Sequence, residues 1–289
     1  MSPPPPLSRR QFLLAGAGLA FVAACGRDDG EGADVQVTEP TVGGGQRSLN
    51  LVLASYVHVA GIDQRVAVAF LDEDATGPFR PTGPVRFAID GRPVATQLHD
   101  DGTPLPYYVI RHRFDRPGYP SVEASYQGRT AKAALEVVDP AAATVPFPGK
   151  PMISVSTPTV ADPRGVNPIC TRQPACPLHD VSLDAALAER RPLAVLFATP
   201  ALCQSRICGP VLDTLLSQRE AFADRVRFLH VEIFKTLERN GPVVEAVQAY
   251  GLQQEPFLFL AGADGVVRER LDNAFDRSEL RHTLERLVA

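Results

Sequence analysis

The chain has 289 residues, enough for two domains, with a formal net charge of −4 and a hydrophobic fraction of 45%. A mildly acidic chain without a basic run is a poor binder of nucleic acid, so that class of function is excluded. The five cysteines, at positions 25, 170, 176, 203 and 208, are its most informative residues.

The N-terminus predicts export. Arg9 and Arg10 precede an apolar run, residues 12–24, and this arrangement resembles a twin-arginine signal. The run is shorter than the ~20 residues that span a bilayer, so residues 1–24 are expected to form a signal peptide. Two alanines before Cys25 resemble a bacterial lipobox, which implies lipidation of Cys25 and an extracytoplasmic, lipid-anchored protein. The alternative is an ordinary signal with an incidental cysteine.

Residues 25–48 are Gly-rich and acidic, which is typical of a flexible tether. In residues 49–139, short β-rich runs alternate with turn signals, and about seven strands at this spacing predict an antiparallel β-sandwich. The pattern is similar to the immunoglobulin-like modules of bacterial surfaces, which implies a spacer or a partner-binding module. His58, His99 and His112 are scattered here, and we expect them to be surface or strand-face histidines without a catalytic role.

Residues 140–176 are rich in proline and contain a cysteine pair, which predicts an extended, semi-rigid linker. From residue 177 onward strands and helices alternate. The continuous apolar run 193–198 predicts a strand buried on both faces. Further along, Asp276 and Glu279 have the spacing of a capping box for a last helix. The order of elements is strand, helix, strand, helix, hairpin, helix.

This order resembles the thioredoxin fold, over roughly residues 177–289. Cys203 and Cys208 lie at the first junction between strand and helix, where a helix dipole stabilises a thiolate. Pro210, about two turns into the predicted helix, is near the place where thioredoxins kink theirs. Pro256 lies in a segment similar to the one whose cis-proline faces the thioredoxin active site. The expected fold is therefore an immunoglobulin-like sandwich followed by an α/β thioredoxin-like domain.

The chain also departs from that family. Thioredoxins use Cys-x-x-Cys preceded by Trp, whereas four residues separate Cys203 from Cys208, and Leu196 replaces a buried acid. Helical positions five apart point about 140° away from each other, with Cα atoms beyond the ~7 Å that a disulfide spans. A disulfide therefore requires Cys203 to lie in the loop before the helix, which Pro200 permits, or a distorted first turn. Three interpretations of the Cys203–Cys208 pair therefore stay open: a redox-active pair, a structural disulfide, and thiols that are free or bind a metal.

Cys170 and Cys176 are close enough along the chain to form a small-loop disulfide, which is our first expectation. Two alternatives are a metal site that includes His179, although the spacing matches no familiar zinc pattern, and exchange with the second pair. His230 resembles the position of the buried lysine of thioredoxins. It is expected either to accept a proton from the attacking thiol or to be a satisfied core histidine.

The leading hypothesis is a lipid-anchored thiol–disulfide oxidoreductase of the cell envelope that acts on protein thiols and disulfides without a cofactor. Cys203 would attack, Cys208 would resolve the mixed disulfide, His230 would handle the proton, and the backbone beside Pro256 would dock the substrate. One alternative is an SCO-like copper chaperone that binds Cu(I) through Cys203 and Cys208. The other is a non-catalytic interaction protein with the thioredoxin fold.

Overall fold

The computed structural model describes residues 49–72, 77–238 and 240–289. These residues are mainly β-structure: fourteen strands in three four-stranded sheets and one two-stranded sheet, with four helices. They all belong to one compact unit, Gln46–Ala289. In this described part, no helix is both long and apolar enough to cross a bilayer. The predicted signal peptide, the lipidation site Cys25 and the tether lie outside the described residues.

The N-terminal region, residues 49–138, consists of short strands in two main sheets. One sheet has the order β1-β3-β7-β6 and the other β5-β4-β8-β9, both antiparallel, while β10 pairs with β2 in parallel. The two main sheets share one apolar core. There are more strands than the seven expected, because four of them have only two or three residues and show no alternation. The strands are β1 Asn50–Leu53, β2 His58–Val59, β3 Asp63–Leu71, β4 Arg86–Ile89, β5 Arg92–Val94, β6 Gln97–His99, β7 Tyr107–Arg113, β8 Ser121–Tyr126, β9 Arg129–Ala134 and β10 Val137–Val138.

The C-terminal region, residues 183–289, has one sheet with the order β12-β11-β13-β14. Strand β12 is parallel to β11, whereas β13 is antiparallel to both β11 and β14. Strand β11 is buried on both faces, and its alternate residues enter two separate apolar clusters, which explains its continuous apolar sequence. The elements are α1 Leu183–Ala188, β11 Leu193–Phe197, α2 Cys208–Phe222, β12 Arg227–Val231, α3 Glu245–Ala249, β13 Phe257–Ala261, β14 Val267–Asp272 and α4 Arg277–Leu287.

Helix α2 begins later than the sequence pattern indicates. It starts at Cys208, so Pro210 lies in its first turn and not two turns into it. Proline is tolerated there because the first amides of a helix have no intrahelical partner. Helix α3 starts at Glu245, after a β-bridge between Phe234 and Val243 in the segment that follows β12.

The proline-rich segment 140–182 forms no helix or strand, yet it is packed against the C-terminal region. Val145, Phe147, Met152 and Val166 are buried. Backbone hydrogen bonds also tie this segment to β14 and to the turn before it. It therefore differs from the extended spacer that its prolines predict, because the apolar residues between them enter the core.

A buried ion pair joins the two regions. Arg65 of β3 donates to both carboxylate oxygens of Glu279 in α4, at 2.7 and 3.0 Å, and Tyr107 donates to the same carboxylate at 2.5 Å. Burial raises the pKa of Glu279, but the Arg65 guanidinium outweighs this effect and holds it below its usual value. Asp276 accepts the Glu279 amide at 2.7 Å, which is half of the predicted capping box. The other half is absent because the Glu279 carboxylate binds Arg65.

Candidate functional site

Cys203 and Cys208 form a disulfide, with their Cα atoms 6.0 Å apart. Cys203 lies in the turn between β11 and α2, and Cys208 is the first residue of α2. The position of Cys203 before the helix meets the condition that the sequence spacing imposes, since an ideal helix would separate the two residues beyond bridging distance.

The Cys203 sulfur is placed to carry negative charge after reduction. It accepts the Cys208 backbone amide at 3.3 Å and lies 3.3 Å from the Ser205 hydroxyl. This amide is one of the unpaired donors at the start of α2, where the helix dipole stabilises an anion. Cys203 is 7% exposed and Cys208 is 0% exposed. Cys203 is therefore the more accessible sulfur and the one whose thiolate the helix favours.

Glu255 supplies a carboxyl group beside the disulfide. Its carboxylate and the two sulfurs lie within 4.8 Å of one another. Burial raises the pKa of Glu255 to about 7, against the opposing effect of the Thr199 amide, which donates to the carboxylate at 2.5 Å. Such a group can exchange a proton near neutral pH. The sequence pattern did not single out this residue, whose only signal is a charge two positions before the fully buried strand β13.

Pro256 follows a cis peptide bond, the conformation that the resemblance implies for this position. The carbonyl of Glu255 accepts the Tyr56 hydroxyl at 2.8 Å, and the carbonyl of Pro256 accepts the Asn273 amide at 3.0 Å. The Glu255 carbonyl is therefore already engaged by a side chain of the N-terminal region.

A second cluster brings together Cys170, Cys176, His179 and His230, all buried, with one donor atom of each within 4.8 Å of the others. Both cysteines are free thiols, so the expected Cys170–Cys176 disulfide is not formed. The imidazoles surround the sulfurs instead. The Cys176 sulfur lies 3.3 Å from His179 Nε2 and 3.4 Å from His230 Nδ1, and the Cys170 sulfur lies 3.7 Å from His230 Nδ1.

His230 belongs to this second cluster through one ring nitrogen, and the other ring nitrogen is held by the backbone. Its Nε2 donates to the carbonyl of Ala198 at 2.9 Å, and its Nδ1 faces the two free cysteines and His179. The structure therefore does not bring His230 to the Cys203–Cys208 disulfide, where the first of its two predicted roles, acceptance of a proton, would place it. The carboxyl group that does lie beside that disulfide is Glu255.

The two thiols of the second cluster have pKa values shifted in opposite directions. The pKa of Cys170 is lowered, chiefly by its hydrogen bond with Cys176 and then, against desolvation, by those with His179 and His230. The pKa of Cys176 is raised, first by the same hydrogen bond with Cys170 and then by burial. Cys170 is therefore the more acidic of the two thiols.

The two clusters are neighbours in the fold. The Thr171 hydroxyl donates to Glu232 at 3.0 Å and accepts the Ala201 amide at 3.1 Å. The residue after Cys170 thus contacts the turn that leads to Cys203. Both cysteine pairs also belong to the same apolar cluster of the core.

The three scattered histidines of the N-terminal region join neither cluster in the described part of the chain. All three lie on strands, His58 on β2, His99 on β6 and His112 on β7, as the strand-face expectation allows. His58 and His99 are buried, and His112 packs against Phe114 with ring centroids 4.6 Å apart. His99 lies 3.1 Å from Asp276, and it lines a cleft of about 930 Å³ that includes neither cysteine pair.

Comparisons with known proteins do not assign the chain to a family. No family model matches it, and no curated protein matches it significantly. Several solved structures, among them the following three, are similar to parts of it. A chimeric titin Z1Z2 functionalised with a KLER exogenous peptide from decorin is 22% identical over 32% of this chain and 95% of its own, with a TM-score of 0.21. The adhesin InvE of Yersinia pseudotuberculosis is 16% identical over 41% of this chain and 34% of its own, with a TM-score of 0.23. The titin M3 domain is 13% identical over 32% of this chain and 98% of its own, with a TM-score of 0.19. These scores are too low to assign a fold or a function.

Proposed function

We propose that this chain is a thioredoxin-like thiol–disulfide oxidoreductase with a Cys-x-x-x-x-Cys site. The observation that carries the proposal is the environment of the Cys203–Cys208 disulfide. The Cys203 sulfur accepts the first amide of α2, and the Glu255 carboxyl lies within 4.8 Å of both sulfurs. The sheet order β12-β11-β13-β14, with helices on both faces, supports the thioredoxin-like fold, and the two facing sheets before it support an immunoglobulin-like sandwich.

In the reductive direction, the Cys203 thiolate attacks a substrate disulfide and forms a mixed disulfide, which releases one substrate thiolate. Cys208 gives its proton to Glu255 and attacks the Cys203 sulfur. The Cys203–Cys208 disulfide closes and the second substrate thiolate leaves, so two electrons pass from the protein to the substrate. The reverse sequence oxidises a substrate dithiol.

Burial of the pair favours a second candidate, a non-catalytic interaction protein with an inert disulfide, because Cys208 is inaccessible and no tryptophan flanks the site. The copper-chaperone alternative gains less support. Its Cu(I) site would need an imidazole beside Cys203 and Cys208, whereas His179 and His230 face the other cysteine pair.

The proposal is tested by reduction of a protein disulfide such as insulin, with dithiothreitol as the electron source. Cys203→Ser is expected to abolish activity, and Cys208→Ser is expected to accumulate the mixed disulfide, which mass spectrometry detects. Cys25→Ser is the matched control and keeps its activity. Full activity of Cys203→Ser, or a potential of the pair below about −300 mV, would support the inert disulfide instead.

We further propose that the protein is held on the extracytoplasmic face of a bacterial membrane by lipid on Cys25. The paired arginines and the lipobox-like sequence support this location. Cys25→Ser should move the protein from the membrane fraction to the soluble fraction, and replacement of Arg9 and Arg10 by lysine should block export. A Cys25→Ser protein that stays in the membrane fraction would contradict the anchor.

A further inference from the structure

The buried cluster of two cysteines and two histidines lies outside the chemistry proposed for Cys203 and Cys208. We propose that Cys170, Cys176, His179 and His230 bind one Zn²⁺ ion in a closed tetrahedral site. This site is separate from the redox pair, so it can be tested independently of the oxidoreductase.

The distances between donor atoms match a zinc tetrahedron. With Zn–S of about 2.3 Å and Zn–N of about 2.0 to 2.1 Å, a tetrahedron has edges about 1.6 times longer, or about 3.3 Å between nitrogens and about 3.6 Å between nitrogen and sulfur. His179 Nε2 and His230 Nδ1 are 3.2 Å apart. Three of the four nitrogen–sulfur distances are 3.3, 3.4 and 3.7 Å. The remaining pairs of ligand atoms lie within 4.8 Å of each other. These four short distances are the ones that a single tetrahedral ion requires.

The orientation of His230 also fits a metal ligand. The Ala198 carbonyl can only accept a hydrogen bond, so the Nε2 of His230, 2.9 Å away, carries the hydrogen. In the neutral ring, Nδ1 then presents a lone pair to the two sulfurs and to His179. A backbone carbonyl that fixes the tautomer in this way is the usual outer-shell partner of a metal-binding histidine.

The donor set selects zinc. Two thiolates balance the charge of Zn²⁺ in a core where each of the four residues is at most 6% exposed. Mixed sulfur and imidazole ligands in a tetrahedron suit zinc, and four protein ligands leave no open position for a substrate, which is the pattern of a structural site.

The proposed ion would fasten an irregular segment to the central sheet. Three ligands lie in the segment before α1, and His230 lies in β12. The backbone amide of His230 donates to the Leu178 carbonyl at 3.0 Å, so a hydrogen bond already joins this segment to the sheet. The familiar short zinc spacings are absent, because the fourth ligand follows His179 by 51 positions. This separation explains why the sequence spacing alone did not predict zinc.

The test measures metal in the full-length protein purified without chelators. Elemental analysis should find about one zinc ion per chain, and replacement by Co²⁺ should give the d–d bands of a tetrahedral site with a thiolate charge-transfer band. Cys176→Ser and His230→Gln should weaken zinc affinity by more than about 100-fold, since even outer-shell partners contribute about 10- to 100-fold. The controls Cys208→Ser and His282→Gln should keep their zinc.

Three results on the unsubstituted protein would overturn the proposal, and they do not depend on how a variant folds. They are a folded protein that contains no zinc and takes up neither Zn²⁺ nor Co²⁺, a Cys170–Cys176 disulfide in the folded protein, and bound copper in place of zinc. A fourth result comes from a variant: loss of zinc in a folded Cys208→Ser protein would place the ion at the redox pair and overturn the assignment.

Discussion

The two cysteine pairs of the C-terminal half are alike in sequence but differ in state. Their members are separated by six and five positions, all four residues are buried, and both pairs enter the same apolar cluster. Yet Cys203 and Cys208 form a disulfide, and Cys170 and Cys176 stay free. Spacing along the chain therefore does not decide the chemistry of a pair. The two pairs differ in the groups that surround their sulfurs. A helix amide and a carboxyl lie beside the disulfide, whereas two imidazoles lie beside the free thiols.

Removal of an imidazole from the free pair should have the largest effect. His230→Ala deletes a buried ligand and its hydrogen bond to Ala198, and we expect a loss of more than about 3 kcal/mol in the free energy of unfolding. Chemical denaturation measures this loss, with the exposed His282→Ala as control. Equal stability of His230→Ala and the control, with and without added zinc, would show that the histidine has no structural role.

Alkylation after mild reduction should separate the two pairs. We expect Cys203 to react at least about 100-fold faster than Cys170 and Cys176, because the first amide of α2 stabilises its thiolate, whereas the proposed zinc ion binds the other two sulfurs. Peptide mass spectrometry over a time course gives the four rates. A chelator should remove the protection of the second pair, and equal rates before its addition would contradict the assigned roles.

Glu255→Gln should remove a pH dependence from the redox pair. The carboxylate accepts the proton, so the wild-type exchange rate should rise as the pH passes through about 7, and the variant should be roughly tenfold or more slower without that step. The raised pKa of Glu255 also affects stability. Its protonated carboxyl favours the folded state, so this stabilisation is complete below the ordinary carboxyl pKa and is lost as the pH rises through about 7.

Stopped-flow measurement of the exchange rate from pH 5 to 9 tests the role of Glu255. The exposed residue Glu220 provides the matched control, because Glu220→Gln removes a carboxylate of the same size from α2 without touching the sulfurs. If Glu255→Gln kept the wild-type pH profile, another group would be the proton acceptor.

Tyr56→Phe should have the smallest effect. It removes one hydrogen bond to the Glu255 carbonyl, which contributes about 1 kcal/mol to stability, and leaves this carbonyl free for a substrate chain. We expect a modest fall in melting temperature and a severalfold rise in the insulin reduction rate. The exposed Tyr119→Phe is the control, and a lower rate in Tyr56→Phe would mean that the tyrosine assists substrate binding.

Much of the fold follows from local patterns. The apolar run 193–198 predicts β11, and Asp276 predicts the start of α4. Helix geometry allows a Cys203–Cys208 disulfide only if Cys203 precedes α2 or the first turn is distorted, and the structure has the first of these arrangements. The partners of Cys170 and Cys176 could not be predicted in this way. His230 reaches them because β12 pairs with β11 in a register that sets His230 opposite Leu196, and no local spacing encodes that register. Glu255 likewise carries no motif, because its role depends on where the turn before β13 lies relative to α2.

The ion pair between Arg65 and Glu279 has a consequence for how the chain can be divided. A fragment that begins after residue 140 would retain Glu279 without its counter-charge, and loss of one partner from a buried pair costs about 3 to 5 kcal/mol. The two regions should therefore melt in a single calorimetric transition, and the redox half should not be an autonomous module. Evolution could exchange the sandwich for another domain only together with the surface of α4 that receives it.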